Sequence, residues 1–379
     1  MDLQHDDPGA VLTEREKWET YLVAHLYHEL KIAGNQIARM LDISPAGISR
    51  ILKRAEDINI LQIRVVEPAN INFKDYQSQL EILYGLKTAR LIQGDQGIFD
   101  FSPVEARQIE SIATRAMRER GSKNVGWTDL ALQSVREAIT GELTKKAANY
   151  LDERLQDDDT LFISWGRTMR GVVSHLKPTR TLPNLRVAPM IGFRGLHIDP
   201  FDANTMVSDI AYIYGAQKYY CIPFPAVFQK GERKVSRAIT KYSKVWNEEI
   251  KPLMDEATIA ITSIGVTSLE SHAVLTGLVD KNEVRRMQKN GAAGEINSWF
   301  FDKNGNEMRD ESEEEIFPLG FGLKRLKNMV ENDKTVILTA GVTNHRVDVI
   351  NSALNGRLAN VLITDHITAK KLIELKTKK

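Results

Sequence analysis

The sequence predicts an α/β protein in which a small (winged) helix-turn-helix domain precedes a larger domain built on a parallel sheet. Closely spaced short helices fill residues 13–64, and from residue 157 onward short apolar strands alternate with helical segments. Such alternation is typical of parallel sheets covered by helices on both faces. We therefore assign residues 13–67 to the first domain, 68–130 to a linker and irregular region, and 131–379 to the larger domain.

The composition is that of an ordinary globular chain. Of the 379 residues, 42% are hydrophobic and 27% charged, and 51 basic against 50 acidic residues give a formal net charge of +1. This balance argues against a chain coated with cations but leaves room for a local basic patch. The single cysteine, Cys221, excludes an internal disulfide and a multi-cysteine metal site. We expect neither a cofactor nor a metal.

The chain carries no sequence feature of export or membrane insertion. Residues 1–8 are acidic and polar, whereas a signal peptide begins with basic and then apolar residues. No apolar run approaches the roughly 20 residues that span a bilayer. We expect a cytoplasmic protein with no membrane partner.

The first domain has the spacing of a helix-turn-helix. Ala38 is small enough to let two helices approach closely, and Ile48 and Ile51 are placed to fill the angle between them. Asp42 stands at the turn, where the backbone needs a positive φ that aspartate tolerates. This spacing predicts that the domain binds DNA; the alternative is a helical hairpin with a solvated basic face.

The helix after the turn is the candidate recognition helix. Ser44 is placed to cap it and Pro45 to begin it. The N-terminal residues of such a helix meet base edges in the major groove, and its basic residues meet phosphates. Alternating apolar residues at 58–66 predict a short strand or hairpin that would serve as a wing. The candidate DNA-contacting residues are Gln36, Ser44, Ala46, Ser49, Arg50, Lys53 and Arg54.

A single head of this size reads too few base pairs to select an operator. Symmetric oligomers solve this by placing two heads on half-sites one or more helical turns apart. The expected partners are therefore double-stranded operator DNA and further copies of the chain. The helical segments 76–84 and 131–155 are candidate contributors to the oligomer.

The larger domain has a candidate anion site after its first predicted strand, residues 160–164. Ser164-Trp165-Gly166-Arg167-Thr168 ends that strand and begins a helix. Backbone amides, the Thr168 hydroxyl and the Arg167 guanidinium would favour an anionic oxygen, and Gly166 allows it to approach closely. The alternative is a plain strand-to-helix turn with a surface arginine. Ligands of open parallel sheets lie at this carboxyl edge.

Other loops are expected to converge on the same edge. Gly265-Val266-Thr267-Ser268 and Gly341-Val342-Thr343-Asn344 follow two further predicted strands, although either is compatible with plain turn chemistry. Glu295, in a glycine-bounded loop, is suited to accept hydrogen bonds from sugar hydroxyls. Asp302 precedes Lys303-Asn304-Gly305 and is expected to stabilise that turn, and Thr364-Asp365 to cap the final helix. The candidate effector-binding residues are Gly166, Arg167, Thr168, Arg194, Gly265, Thr267, Glu295, Gly341 and His345.

An ordered series of motifs resembles the SorC/DeoR type of sugar-responsive regulators along nearly the whole chain, apart from the N-terminal tail and residues 94–126. The motifs are Gln36-Ile37-Ala38-Arg39-Met40-Leu41, Ser49-Arg50-Ile51-Leu52-Lys53-Arg54-Ala55, Ser164-Trp165-Gly166-Arg167-Thr168, Gly291-Ala292-Ala293-Gly294-Glu295, Phe300-Phe301-Asp302-Lys303-Asn304-Gly305, Ala340-Gly341 and Asn360-Val361-Leu362-Ile363-Thr364-Asp365. The resemblance implies a winged head on a Rossmann-like effector domain similar to sugar-phosphate isomerases. It also implies a tetramer that responds to phosphorylated sugars or sugar alcohols.

Two positions depart from the family pattern. Glu295 stands where the family often has aspartate, and His345 where it commonly has lysine. A lysine is a permanent charge for a phosphate, whereas a histidine with a pKa near 6.5 is mostly neutral at pH 7. Our hypothesis is that the anionic group of the effector is held differently or is absent.

Two other functions compete with a ligand-controlled regulator. A domain that resembles isomerases and deaminases of sugar phosphates would be an enzyme if Glu295 or His345 acted as a general base. The attached DNA-binding head argues against this, and no firm acid–base pair is evident. The third possibility is a constitutive DNA-binding scaffold whose pocket binds no metabolite.

Overall fold

The chain divides into two compact units, residues 1–70 and 71–379. The computed structural model describes residues 13–58, 60–61, 73–94, 127–193, 199–228, 232–268, 274, 279–308, 317–341 and 346–378. Within these ranges no helix is long and apolar enough to cross a membrane. The same ranges contain no group of three or more histidine, cysteine, aspartate or glutamate side chains placed to hold a metal ion.

The smaller unit is a bundle of short helices. They are α1 (Glu14–Ala24), which continues into a π-helical turn (His25–Glu29), α2 (Gly34–Leu41) and α3 (Pro45–Asp57). Thr13 and Glu16 begin α1 as a reciprocal capping box. The apolar faces of the helices enclose a core of Val23, Ile37, Ala38, Ile48 and Ile51.

The turn between α2 and α3 has the geometry that the sequence predicts. Asp42 ends α2 in the left-handed region, with φ 55° and ψ 40°. Ser44 caps α3 by accepting a hydrogen bond from the Gly47 amide at 3.1 Å, and Pro45 is the first helical residue. Only residues 58, 60 and 61 of the predicted wing are described, and residues 62–66 lie outside the described ranges.

The larger unit is built on a parallel sheet of seven strands, as the alternating pattern predicts. The strands are β1 (Thr88–Ile92), β2 (Thr160–Ile163), β3 (Arg186–Pro189), β4 (Lys218–Tyr219), β6 (Ile259–Thr262), β11 (Thr335–Thr339) and β12 (Val361–Asp365). Their order across the sheet is β1-β12-β11-β6-β2-β3-β4, and every pairing is parallel. The edge strand β4 is only two residues long.

Helices cover both faces of this sheet. They are α4 (Phe73–Tyr84), α5 (Trp127–Arg154), α6 (Arg167–Ser174), α7 (Ala203–Tyr214), α8 (Arg233–Tyr242), a π-helical turn (Val245–Ile250) that continues into α9 (Lys251–Asp255), α10 (Lys281–Lys289), α11 (Leu323–Glu331), α12 (Val347–Asn355) and α13 (His366–Thr377). A hydrophobic core lies on each face of the sheet, and successive side chains of a buried strand pack alternately into the two cores. Leu161 and Ile163 pack on one face, and Phe162 packs on the other.

The first part of the predicted linker belongs to the sheet. β1 pairs with β12 along its whole length, and Tyr84 of α4 donates its hydroxyl to Asn351 Oδ1 at 2.9 Å. The sequence pattern misses this strand because Arg90 interrupts its apolar run. The Arg90 guanidinium lies 5.6 Å from the Tyr150 ring centroid, so its charge is accommodated by packing on α5.

Short antiparallel strands complete the described fold. β7 (Gly265–Val266), β8 (Gly294–Ile296) and β9 (Trp299–Phe301) form one small sheet, and β5 (Val227–Phe228) pairs with β10 (Phe317–Pro318) in another. Asn297 and Ser298 join β8 to β9 with φ of 54° and 67°. Two consecutive positive φ values define the type I′ turn that matches the twist of a hairpin.

Candidate functional site

The candidate effector site lies at the carboxyl edge of the parallel sheet. β12, β11, β6 and β2 are consecutive neighbours, so the segments that follow them emerge side by side. Gly166 and Arg167 follow β2, Gly265 follows β6, and Gly341 follows β11. The sheet order therefore brings together the loops from which the sequence predicts ligand contacts.

The N-terminus of α6 is open to this edge. Gly166 precedes the helix with φ 102°, a conformation that needs glycine, and a side chain here would meet open space. Among the described residues, no side chain caps the helix. The Gly166 amide itself is not free as predicted, because it donates to the Phe201 carbonyl at 2.9 Å. The other two residues that the sequence predicts here are Arg167, which is exposed, and Thr168, which is partly buried, and both lie at the helix N-terminus, where anions are favoured.

A second arginine, Arg346, reaches the same place from the loop after β11. Burial lowers the pKa of its guanidinium, and the nearby charge of Arg167 lowers it further. No ion pair with a carboxylate is recorded for Arg346 among the described residues. Arg346 is not among the residues predicted from the sequence, because the neighbouring His345 occupies the position where the family commonly has lysine. The signal that could have identified Arg346 is its positive charge one residue after that position.

Glu295 lies on a strand, not in the predicted loop. It is the central residue of β8, opposite Gly265 in the β7–β8 register. The Ser298 amide, held by the tight turn after β8, donates to Glu295 Oε2 at 2.7 Å. Burial raises the pKa of the Glu295 carboxyl, and the Ser298 amide partly opposes that rise. This strand fixes a carboxyl group that can exchange hydrogen bonds with a hydroxyl-rich ligand.

Gly341 lies directly against the start of α13. A Cβ at this position would be 2.4 Å from Asp365 Oδ2, so the chain after β11 needs glycine here. Asp365 caps α13 by accepting hydrogen bonds from the Thr368 amide at 2.9 Å and the Thr368 hydroxyl at 2.7 Å. The predicted capping role of Asp365 is confirmed.

Several buried hydroxyls near this edge have no hydrogen-bond partner among the described residues. They belong to Thr267, Ser298, Thr339 and Thr364. Buried hydroxyl groups are nearly always hydrogen-bonded in folded proteins. These oxygens are therefore available to a polar ligand at the carboxyl edge.

The remaining predicted residues separate into two groups. Asp302 stabilises a turn, as predicted, because its carboxylate accepts hydrogen bonds from the amides of Asn304 and Asn306, each at 2.8 Å. Burial raises the pKa of Asp302, but the hydrogen bonds from Asn306 and Asn304 and the charge of Lys303 together outweigh it, so the pKa lies below its ordinary value. Arg194 and His345 lie outside the described residues.

The candidate DNA-contacting face of the smaller unit is largely exposed. Its exposed members are Gln36, Ser44, Ala46, Ser49, Arg50 and Lys53. Arg54 differs from the prediction because it is half-buried between α3 and α1. Its Nε donates to Thr20 Oγ1 at 3.0 Å, and its guanidinium lies 3.8 Å from the Glu19 carboxylate. Arg54 therefore ties the two helices together rather than standing free on the α3 surface.

Comparison with known proteins places the chain in a family. Residues 130–374 match the family model described as "Putative sugar-binding domain". Over 364 residues the chain is 27% identical to the deoxyribonucleoside regulator of Bacillus subtilis (strain 168), covering 95% of this chain and 99% of that protein. It is 24% identical to the sorbitol operon regulator of Klebsiella pneumoniae over 353 residues, covering 93% and 96%.

Solved structures show the same fold. The full-length sorbitol operon regulator SorC from Klebsiella pneumoniae superposes with a TM-score of 0.62 at 22% identity, covering 96% of this chain and all of that one. A DeoR family transcriptional regulator from Listeria monocytogenes gives a TM-score of 0.59 at 20% identity, covering 79% of this chain and 98% of that one.

The family model and the named relatives show that this fold is that of a sugar-responsive transcriptional regulator, with a DNA-binding head and an α/β sugar-binding domain. The chain belongs to the sugar-binding domain family of SorC/DeoR-type regulators.

Proposed function

We propose that an anionic, sugar-like metabolite binds at the carboxyl edge of the parallel sheet and controls the binding of the head to double-stranded operator DNA. The observation that supports this most strongly is the pair of guanidinium groups, Arg167 and Arg346, from loops after different strands. Like charges in a partly buried setting repel each other, and a phosphate between them would remove that repulsion.

The arrangement matches the two chemical parts of a sugar phosphate. Arg167, Arg346 and the uncapped N-terminus of α6 form the cationic part. Glu295 and the buried hydroxyls form a part rich in hydrogen-bonding oxygens. We assign the phosphate to the arginines and the α6 N-terminus, with contacts from Thr168, and the sugar hydroxyls to Glu295, Thr267 and neighbouring groups.

The sequence leaves two possibilities for the effector's anionic group: that it is held differently from the family pattern, or that it is absent. Arg346 supports the first possibility. The family's lysine would supply a permanent positive charge, and Arg346 supplies one from the adjacent position. We therefore propose that the anionic group of the effector is present and is held by arginine. A regulator that responds equally well to an unphosphorylated sugar would contradict this assignment.

We propose binding without turnover. The relatives are named as regulators, and among the described residues no second titratable group is recorded as hydrogen-bonded to Glu295 to form an acid–base pair. An isomerase or deaminase needs a base within hydrogen-bond reach of the reacting carbon's proton. Incubation with candidate sugar phosphates, followed by product analysis, should yield no product from a ligand that stabilises the protein.

We further propose that the exposed face of α3 contacts operator DNA in a homo-oligomer, with a tetramer as the arrangement that the family resemblance implies. Arg50 and Lys53 are exposed and free to meet phosphates, and Ala46 and Ser49 lie nearer the N-terminus of α3, where base edges are read. An effector controls such an assembly only if it binds the DNA-competent and DNA-released states unequally.

A thermal-shift panel tests the proposed effector class. We would compare deoxyribose, sorbitol and erythritol with their monophosphates, and include inorganic phosphate as the control for the anion alone. A ligand at a hundredfold excess over its Kd stabilises the folded state by about 2.7 kcal/mol. We expect stabilisation by at least one sugar phosphate and not by its unphosphorylated partner. Equal stabilisation by the two members of a pair would contradict the proposal.

A further inference from the structure

The β4 edge of the larger unit has an uncovered apolar surface. β4 is the last strand of the sheet and pairs only with β3. Its Tyr219 is 56% exposed, and the following Tyr220 is 38% exposed. The sheet thus ends in two aromatic side chains that are only partly covered by the described elements.

Exposed apolar side chains concentrate in the stretch of chain that contains this edge. Eight large hydrophobic side chains are exposed in the described part of the larger unit: Ile82, Phe193, Tyr212, Tyr219, Tyr220, Val235, Tyr242 and Val245. All except Ile82 lie between residues 193 and 245. Scattered apolar residues are normal on a protein surface, but a concentration of this kind marks an interaction site.

A cavity connects the edge strand to the helical segment beside it. Its volume is about 290 Å³, and its walls include Tyr219, Tyr220, Val245 and Glu249. The cavity places the end of β4 and the π-helical turn after α8 on one continuous surface. We call this surface, formed by residues 218–223 and 234–249, the edge surface.

The charges along the edge surface are divided by sign. Lys234, Arg237, Lys241 and Lys244 are exposed along α8 and its end. The next turns carry the exposed carboxylates Glu248 and Glu249. Within the described ranges no ion pair is recorded for any of these six side chains. One stretch of helix therefore has a basic first half and an acidic second half.

We infer that the edge surface is a homotypic interface, in which two copies of this chain pair about a twofold axis. An axis of this kind places a surface against itself, with each segment antiparallel to its copy. The basic half of one α8 segment then faces the acidic half of the other, and Tyr219, Tyr220, Tyr242 and Val245 are covered at the centre. Charge complementarity along one segment thus favours a second copy as the occupant.

This interface rests on the proposed function in one respect, because operator reading requires at least two heads. Leu80 of α4 and Leu143, Ala147 and Leu151 of α5 are buried within their own unit, whereas Ile82 of α4 is exposed. The edge surface is a site of contact separate from those two helices, which the sequence also offers as contributors to the oligomer.

Charge reversal with rescue tests the interface in the full-length protein. Sedimentation velocity over a range of protein concentrations would compare the native chain with Arg237→Glu/Lys241→Glu, with Glu248→Lys/Glu249→Lys, and with the quadruple combination. We expect each double variant to weaken self-association by about tenfold or more, because like charges then face each other. We expect the quadruple variant to restore it, because its charges are complementary again.

A matched control and separate readouts make the result unambiguous. The control variant Lys281→Glu/Lys289→Glu changes the net charge by the same amount as Arg237→Glu/Lys241→Glu, but on exposed residues of α10. It should sediment like the native chain. Circular dichroism and thermal unfolding verify that every variant is folded. A monomeric native chain, double variants that assemble normally, or a quadruple variant that fails to reassemble would each overturn the inference. Stabilisation of a dissociated variant by a sugar phosphate would show that the proposed effector site stands independently of this interface.

Discussion

The Arg346 guanidinium lies close enough to that of Arg167 for the two charges to repel: burial lowers the pKa of Arg346, and the charge of Arg167 lowers it further. Arg167 begins α6 after β2, whereas Arg346 directly precedes α12 after β11. These strands are separated by β6 in the sheet, so only the fold brings the two side chains together. Arginine does not lose its proton in proteins, so the repulsion persists at every physiological pH.

Replacement of Arg346 should separate effector binding from folding. We expect Arg346→Met to weaken the binding of the stabilising sugar phosphate by about 10- to 100-fold, the effect of losing a charge-assisted hydrogen bond. The unliganded protein should be no less stable than the native chain, because the substitution removes the buried charge of Arg346 and its repulsion with Arg167. Isothermal titration calorimetry and thermal unfolding measure the two effects.

The matched control for this substitution is Arg285→Met on α10. Arg285 is exposed and donates to Asn282 within its own helix. Its loss should leave the affinity for the sugar phosphate unchanged. A similar loss of affinity in both variants would show that Arg346 acts only through net charge.

Glu295 should make stability depend on pH in a direction that the structure fixes. Because burial raises the pKa of Glu295 in the folded protein, folding is penalised when this carboxyl is ionised. The penalty is full above the raised folded-state pKa and vanishes below the ordinary glutamate value of about 4.3. We expect Glu295→Gln to raise the free energy of unfolding at neutral pH, with the gain shrinking as the pH falls towards 4. Denaturant unfolding at several pH values checks this; a constant difference at all pH values would contradict it.

Neighbouring basic residues of α3 should have different roles. Arg50→Met and Lys53→Met should leave the head stable but lower its DNA affinity, each reducing the slope of log K against log salt by about 1. Arg54→Met should instead destabilise the head by about 1 kcal/mol, because the hydrogen bond to Thr20 is lost. Fluorescence anisotropy at several salt concentrations and thermal unfolding separate the roles. An Arg54 variant with normal stability and a reduced salt slope would return Arg54 to the DNA-contacting face.

The helix that precedes β1 should be part of the larger unit's cooperative fold. Tyr84 reaches Asn351 Oδ1 at 2.9 Å and the Leu372 carbonyl at 3.1 Å, which ties α4 to α12 and α13. Burial also raises the pKa of the Tyr84 hydroxyl. We expect Tyr84→Phe to lower the free energy of unfolding of that unit by about 1 kcal/mol. An unchanged unfolding curve would mean that α4 is not integral to it.

Local features of the fold were predictable from sequence because short-range chemistry determines them. Asp42 adopts positive φ, Ser44 caps α3, and Asp365 caps α13, each within four residues of its partner. The parallel sheet was predictable from the repeated apolar runs. β1 could not be predicted from its apolar pattern, because Arg90 stands at its centre and the contact of Arg90 with Tyr150 on α5 is visible only in the fold.

The composition of the candidate site was less predictable, because it depends on which loops the sheet brings together. Arg167 was identifiable from its own strand-to-helix turn. Arg346 becomes a candidate ligand-binding residue only when the fold shows that its charge lies near that of Arg167. Arg54 illustrates the converse. Its position on α3 is that of a DNA-contacting residue. Its guanidinium instead donates a hydrogen bond to Thr20 on α1, 34 residues earlier in the sequence, and such a long-range contact could not be predicted.

The most direct test of the account measures DNA binding and effector response together. The native chain and Arg346→Met would be titrated onto a duplex that the native protein selects from a randomised pool, with and without the sugar phosphate found in the thermal-shift panel. We predict equal DNA affinity for the two proteins without ligand, and a ligand-induced change in affinity for the native chain that Arg346→Met loses at the same concentration. A native chain whose DNA affinity ignores every stabilising sugar phosphate, or an Arg346→Met variant that responds like the native chain, would contradict the account.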